Sequence, residues 1–128
     1  MASFIVASRF NGPPRSGNGG YTAGLIAAAI GETVAVSLHQ PIPLDRELTL
    51  GERMGDRWEV RAGEDLIATA RLSTVDIAVP EAPPYSEALI ASTHYAGHKQ
   101  HSLPSCFVCG TARKRHDGLC IFAGPIEG

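Results

Sequence analysis

The sequence predicts an α+β protein in which a curved antiparallel sheet wraps around one short apolar helix. Three observations lead there. Residues 16–32 run from a glycine-rich turn into a stretch with no charged side chain before Glu32, and a helix that is apolar on every side must be buried on every side. That stretch falls far short of a membrane span, which takes about 20 apolar residues, so protein has to cover it. Downstream, alternating apolar and polar runs are separated by tight turn signals, and short turns imply antiparallel neighbours. At 128 residues the chain is long enough for one domain with a core.

The elements follow in order. Residues 3–10 alternate and form a first strand. Asn11-Gly12-Pro13-Pro14 is loop, because two prolines stop both a helix and a ladder. The apolar helix runs over 19–30, with Gly31 as its stop. Thr33 to Gln40 alternates, with Val34, Val36 and Leu38 on one face and Thr33, Ser37 and His39 on the other. Pro41-Ile42-Pro43-Leu44-Asp45 bends the chain. Arg46 to Met54 is the next strand, Leu48 and Leu50 sharing a face, and Gly55-Asp56 marks a hairpin turn.

Arg57 to Ala62 turns Trp58 and Val60 inward and Arg57, Glu59 and Arg61 outward. Gly63-Glu64-Asp65 is another tight turn. Leu66 to Val79 is the longest strand candidate. Its inward face runs Leu66, Ala68, Ala70, Leu72 and then shifts to Val75, Ile77, Val79, the phase change of a β-bulge or a sharp bend. Pro80-Glu81-Ala82-Pro83-Pro84 ends the sheet. Tyr85 to Ala96 is a helix candidate with Ser86 as N-cap. From Gly97 the pattern decays into loop, and residues 119–128 look like the start of another strand. The expected division is a sheet-and-helix domain over 1–97 and a loop-rich tail over 98–128. One such sheet cannot hide its own edges or all of its concave face, so a second copy is expected.

Composition narrows the classes. A formal net charge of −2 makes no electrostatic case for nucleic acid or an anionic membrane as partner. The one basic run, Arg113-Lys114-Arg115-His116, reads as a solvated loop. The first ten residues lack a basic n-region and carry too short an apolar run for a signal peptide. Three cysteines, an odd number, argue against a disulfide framework. The expected setting is the reducing cytoplasm.

Local motifs agree with a known family. Arg9-Phe10-Asn11-Gly12-Pro13-Pro14, then Gly17-Asn18-Gly19-Gly20-Tyr21 opening the helix, then the Pro41–Asp45 bend, resemble the hotdog-fold thioesterase-like proteins related to acyl-CoA thioesterases. The resemblance covers roughly residues 3–80 and includes the strand order. In that family the helix opens with a His-Gly-Gly, Asn-Gly-Gly or Gly-Gly-Gln type motif. Pro104-Ser105-Cys106-Phe107-Val108-Cys109-Gly110 and Asp117-Gly118-Leu119 resemble the junction between the repeats of double-hotdog members. Two readings stay open: a half-length protein that dimerises, or a truncated double hotdog.

The resemblance implies a thioester carbonyl polarised by backbone N–H at Gly19 and Gly20, since free N–H groups and the helix dipole favour developing negative charge. It makes Asn18 a group that positions water or the thioester, although Asn is equally a strong N-cap. Tyr21 and Thr22 either touch substrate or pack. His39 is a general base if it faces a dimer cleft, and a solvated strand residue otherwise. Arg71 meets CoA phosphates or lies on an outward face. Many members carry an Asp or Glu on the helix; Tyr21 to Ile30 has none, and Glu32 sits at the far end. The implied function is hydrolysis of an acyl-CoA or acyl-carrier thioester, without a cofactor, in a homodimer or higher homo-oligomer. The alternative is a non-catalytic hotdog that binds acyl thioesters or another apolar ligand.

A third class rests on the tail. Cys106-x2-Cys109-x6-His116-x3-Cys120 supplies four zinc ligands of the right types, with basic residues between them as in knuckles that bind single strands. A redox-active Cys-x-x-Cys is less favoured, because no helix signal follows Cys106 to lower its pKa.

Overall fold

The alternating runs between residues 33 and 72 all become strands, and their apolar positions decide which way each one faces. In the structure, a computed structural model describing residues 1–126, the order is β1 (Ala2–Ile5), α1 (Gly19–Ile30), β2 (Val34–Leu38), β3 (Glu47–Leu50), β4 (Arg57–Ala62) and β5 (Asp65–Leu72), then α2 (Tyr85–Ser92). The five strands form one open sheet in the order β1-β3-β4-β5-β2, every pair antiparallel. The chain divides into two compact units, Met1–Asp76 and Ile77–Gly128. Residues 85–97 fall within the second of these units.

In the first unit, Leu48, Leu50, Trp58, Val60, Ala62, Ala68 and Ala70 point to one face and are buried there with Val6, Ile42 and the α1 residue Ile26. Each fully buried Val, Leu or Ile among them contributes about 1.5–3 kcal/mol. Helix α1 therefore lies on the sheet through Ile26 and Thr22, with Tyr21, Leu25 and Ile30 at the margin. The expectation of burial on every side is corrected: Gly20, Gly24, Ala28 and Ala29 are exposed. A sheet of one chain offers one covering face, and the smallest residues of α1 lie on the side it leaves open.

Turn chemistry fixes the register. Gly55 takes φ 67° between Met54 and Arg57, which exchange hydrogen bonds of 2.7 and 3.1 Å. Gly63 takes φ 61° in the two-residue turn between Ala62 and Asp65, where a hairpin needs positive φ at its first central position. The bulge lies earlier than the sequence pattern placed it. Val60 pairs with Ala68 and Arg61 with Leu66, which leaves Ile67 as the extra residue. Ile67 and Ala68 both turn inward as a result, and both are buried.

Other boundaries shift. The first strand ends at Ile5, and Ser8–Phe10 forms a short 3₁₀ turn. β5 ends at Leu72; beyond it Val75, Ile77 and Val79 are exposed and outside the sheet.

In the second unit, Ser86 is not the N-cap of α2. Pro84 precedes the helix, and its carbonyl accepts from Glu87 N–H at 3.0 Å and Ala88 N–H at 3.1 Å. Proline, whose ring locks φ, sets the entry to the helix two positions before the serine. The helix ends at Ser92, four residues short of the expected end, and Ala96–His98 form a 3₁₀ turn. The expected strand at 119–128 does not form over 119–126; Glu127 and Gly128 lie outside the described residues. Two backbone bonds of 2.9 Å, Leu119 N–H to the Phe107 carbonyl and Ile121 N–H to the Val108 carbonyl, tie this segment down.

Candidate functional site

The start of α1 is held by the loop before it and the bend after β2. Gly17 N–H donates to the Ile42 carbonyl at 2.9 Å, and Ile42 N–H donates to Ser16 Oγ at 3.0 Å. A Cβ on Gly17 would stand 2.8 Å from Ile42 Cγ2 and 3.0 Å from Val6 Cγ1, so glycine is what lets the loop press onto the core. Asn18 N–H donates to the Phe10 carbonyl at 2.8 Å, and the Phe10 ring stacks on Tyr21 with centroids 4.2 Å apart.

An α-helix leaves its first four N–H groups without intrahelical partners. Asn18 satisfies one with its side chain: Oδ1 accepts from Tyr21 N–H at 3.0 Å. Its carbonyl accepts from Thr22 N–H at 3.0 Å and from Thr22 Oγ1 at 2.8 Å. Gly19 N–H and Gly20 N–H meet no acceptor among the described residues. Gly20 is exposed and Gly19 half-buried, with Leu38 Cδ1 against it. Two aligned donors at the positive end of a helix, bare of side chains, attract an electron-rich oxygen.

The remaining sequence candidates sort by face. Thr22 is fully buried and spends its hydroxyl on the Asn18 carbonyl, so it packs. Tyr21 is half-buried against Phe10. His39 lies on the other face of the sheet from α1, its Nε2 2.9 Å from Thr69 Oγ1. The alternation decides this: Leu38 turns toward Gly19, so its neighbour turns away. Arg71 is on that outer face as well, 3.8 Å from Asp56. Asn18, Gly19, Gly20 and Tyr21 are thus brought together, and His39 is not among them.

Among the described residues no three His, Cys, Asp or Glu side chains converge on a common point, Cys106, Cys109, His116 and Cys120 included. Cys106 is buried, Cys109 half-buried and Cys120 exposed, all as free thiols. Burial, then a hydrogen bond with Cys106 and its nearby charge, push the Cys109 thiol above its ordinary value of 9.0. Desolvation first, then a hydrogen bond with Cys109, likewise raise the Tyr95 phenol from 10.0. Cys109 is therefore held as a thiol, the unreactive form.

One group escaped the sequence reading. Arg113, expected in a solvated run, is largely buried. Its Nη1 donates to the Ser105 carbonyl at 2.8 Å, its Nη2 to Asp117 Oδ2 at 3.1 Å and its Nε to the Asp117 carbonyl, with Phe107 beneath. Lys114, Arg115 and His116 are exposed. The spacing of Arg113 and Asp117 was the available signal. Among the described residues no helix is long and apolar enough to cross a membrane. Comparison with protein-family models, with curated proteins and with solved structures returns no match.

Proposed function

We propose that the first unit is a hotdog domain that binds acyl thioesters with the carbonyl oxygen at Gly19 and Gly20, and hydrolyses them by attack of water. The observation that carries this reading is the pair of unpartnered N–H groups on side-chain-free backbone at the start of α1. The order β1-β3-β4-β5-β2, with one helix between β1 and β2, supports the hotdog assignment. Backbone donors aimed at a developing oxyanion supply about 3–4 kcal/mol of transition-state stabilisation. The exposed small-residue side of α1 and the open edges at β1 and β2 favour a homodimer as the working unit, in the cytoplasm.

A second reading, binding without turnover, is favoured by one specific arrangement. Asn18 Oδ1 is occupied by capping and His39 faces away, so neither is placed to activate water at Gly20.

Thiol release from acyl-CoA substrates across a chain-length panel separates the two readings. Hydrolysis is expected, falling about 10²- to 10³-fold in Gly20→Pro, which removes one donor at a first-turn position where proline is tolerated. Gly20→Ala keeps the N–H and is expected to stay close to the parent. Binding without turnover on any chain length establishes the second reading. Neither binding nor turnover removes both.

A further inference from the structure

The outer face of the sheet carries a charge arrangement that packing does not explain. Arg57 on β4 and Arg71 on β5 are register partners, and like charges directly opposite on one face cost stability. Each is loosely neutralised: Arg57 Nη2 lies 3.7 Å from Glu59 Oε1, and Arg71 Nε lies 3.8 Å from Asp56 Oδ2. Glu59 is mainly engaged by Arg61, whose Nε and Nη2 reach its Oε2 at 3.1 and 2.8 Å. Arg57 Nε is itself buried and has no hydrogen-bond partner among the described residues, a state that costs stability when no ligand relieves it.

These groups border a cavity. Ala35 is the register partner of Arg71, and Ser37 of Thr69. The small side chain of Ala35 opens a hollow of about 360 Å³ onto which Arg57, Arg71, His39, Ser37 and Thr69 converge. No carboxylate lines it. The Thr69 contact holds the His39 ring at its rim.

We infer that this cavity binds a phosphate-ester group. Two guanidinium forks present planar, charge-assisted donors that match phosphate oxygens in pairs. The Ser37 and Thr69 hydroxyls add donors below them. The orphaned Arg57 Nε gains an acceptor, and the repulsion between Arg57 and Arg71 becomes attraction to a shared anion. The size suits a small phosphorylated molecule. The site is on the face opposite α1, so it stands whether or not a thioester binds at Gly19 and Gly20.

The test is a titration of the ¹⁵N-labelled full chain with inorganic phosphate and with pyrophosphate, followed by amide spectra. Sodium chloride at matched ionic strength is the control. Saturable shifts are expected at Ser37, His39, Thr69 and Arg71, tighter for pyrophosphate. Arg71→Ala is expected to weaken binding about tenfold, and Arg57→Lys, which keeps the charge and loses Nε, by about fivefold. Arg71→Gln replaces Arg71→Ala if the free spectrum of the latter is disturbed. Absent shifts, shifts reproduced by chloride, or unchanged affinity in Arg57→Lys would each overturn the inference.

Discussion

In Met1–Asp76 the buried set is aliphatic and aromatic and sits on a regular antiparallel ladder, whereas the described residues of Ile77–Gly128 have one eight-residue α-helix and no ladder, and are held by turn-type backbone bonds supplemented by side chains bonded to backbone. In the second unit Arg113 spans the Ser105 and Asp117 carbonyls. His101 Nδ1 accepts from Leu103 N–H at 2.9 Å, so in the neutral ring Nε2 carries the proton and donates to the Cys109 carbonyl at 3.0 Å. Tyr95 stacks on Phe122 with centroids 5.2 Å apart. The first unit is thus stabilised by an interaction spread over many residues and without direction. The second depends more on directional bonds, backbone turns together with a few that need one particular side chain.

That contrast can be broken from either side. The largest effect is expected from Leu48→Ala in the first unit, fully buried between β1 and β4: a loss of about 2–5 kcal/mol, read in denaturant by the fluorescence of Trp58, the sole tryptophan. Arg113→Ala comes next. It strands two carbonyls and a carboxylate and is expected to cost about 1–3 kcal/mol locally, read as accelerated proteolysis within residues 104–118. Arg113→Lys does not restore protection, since an ammonium cannot span the same acceptors. Asn18→Ala removes the α1 cap at an expected cost of about 1 kcal/mol, measured on the same Trp58 transition.

The smallest effect is that of pH. The raised values of Cys109 and Tyr95 mean that the fold favours their neutral forms. Their contribution is complete below the unfolded values of 9.0 and 10.0 and is lost as pH rises through the higher folded values. The ring signals of Tyr95 and His101 should therefore lose dispersion above about pH 9, while Trp58 fluorescence stays level.

The same contrast governs what could be read from residues alone. The span of α1, the limits of β4, the Gly55 and Gly63 turns and the inward faces of β3 and β4 were legible, because periodicity and turn chemistry are local. The glycine entry to α1 was legible as a motif, and Asn18 as its cap. The facing of His39 depended on which side of β2 received α1, a tertiary fact. Arg113 looked like one cation in a basic run because nothing local reveals which of four neighbours turns inward. Val75, Ile77 and Val79 carry strand alternation without a ladder to join, so pattern alone overextended β5.

The extra residue at Ile67 has a bearing on how this chain tolerates change in length. On either side of it, Val60 meets Ala68 and Arg61 meets Leu66. Excising Ile67 would close the hairpin in uninterrupted register and keep Leu66 and Ala68 on their present faces. Removing one residue elsewhere in β5 would invert every side chain up to the turn. A single-residue deletion is thus far less disruptive at this position than at any other in the strand. A homologue one residue shorter between Gly63 and Arg71 would be expected to have lost the residue here.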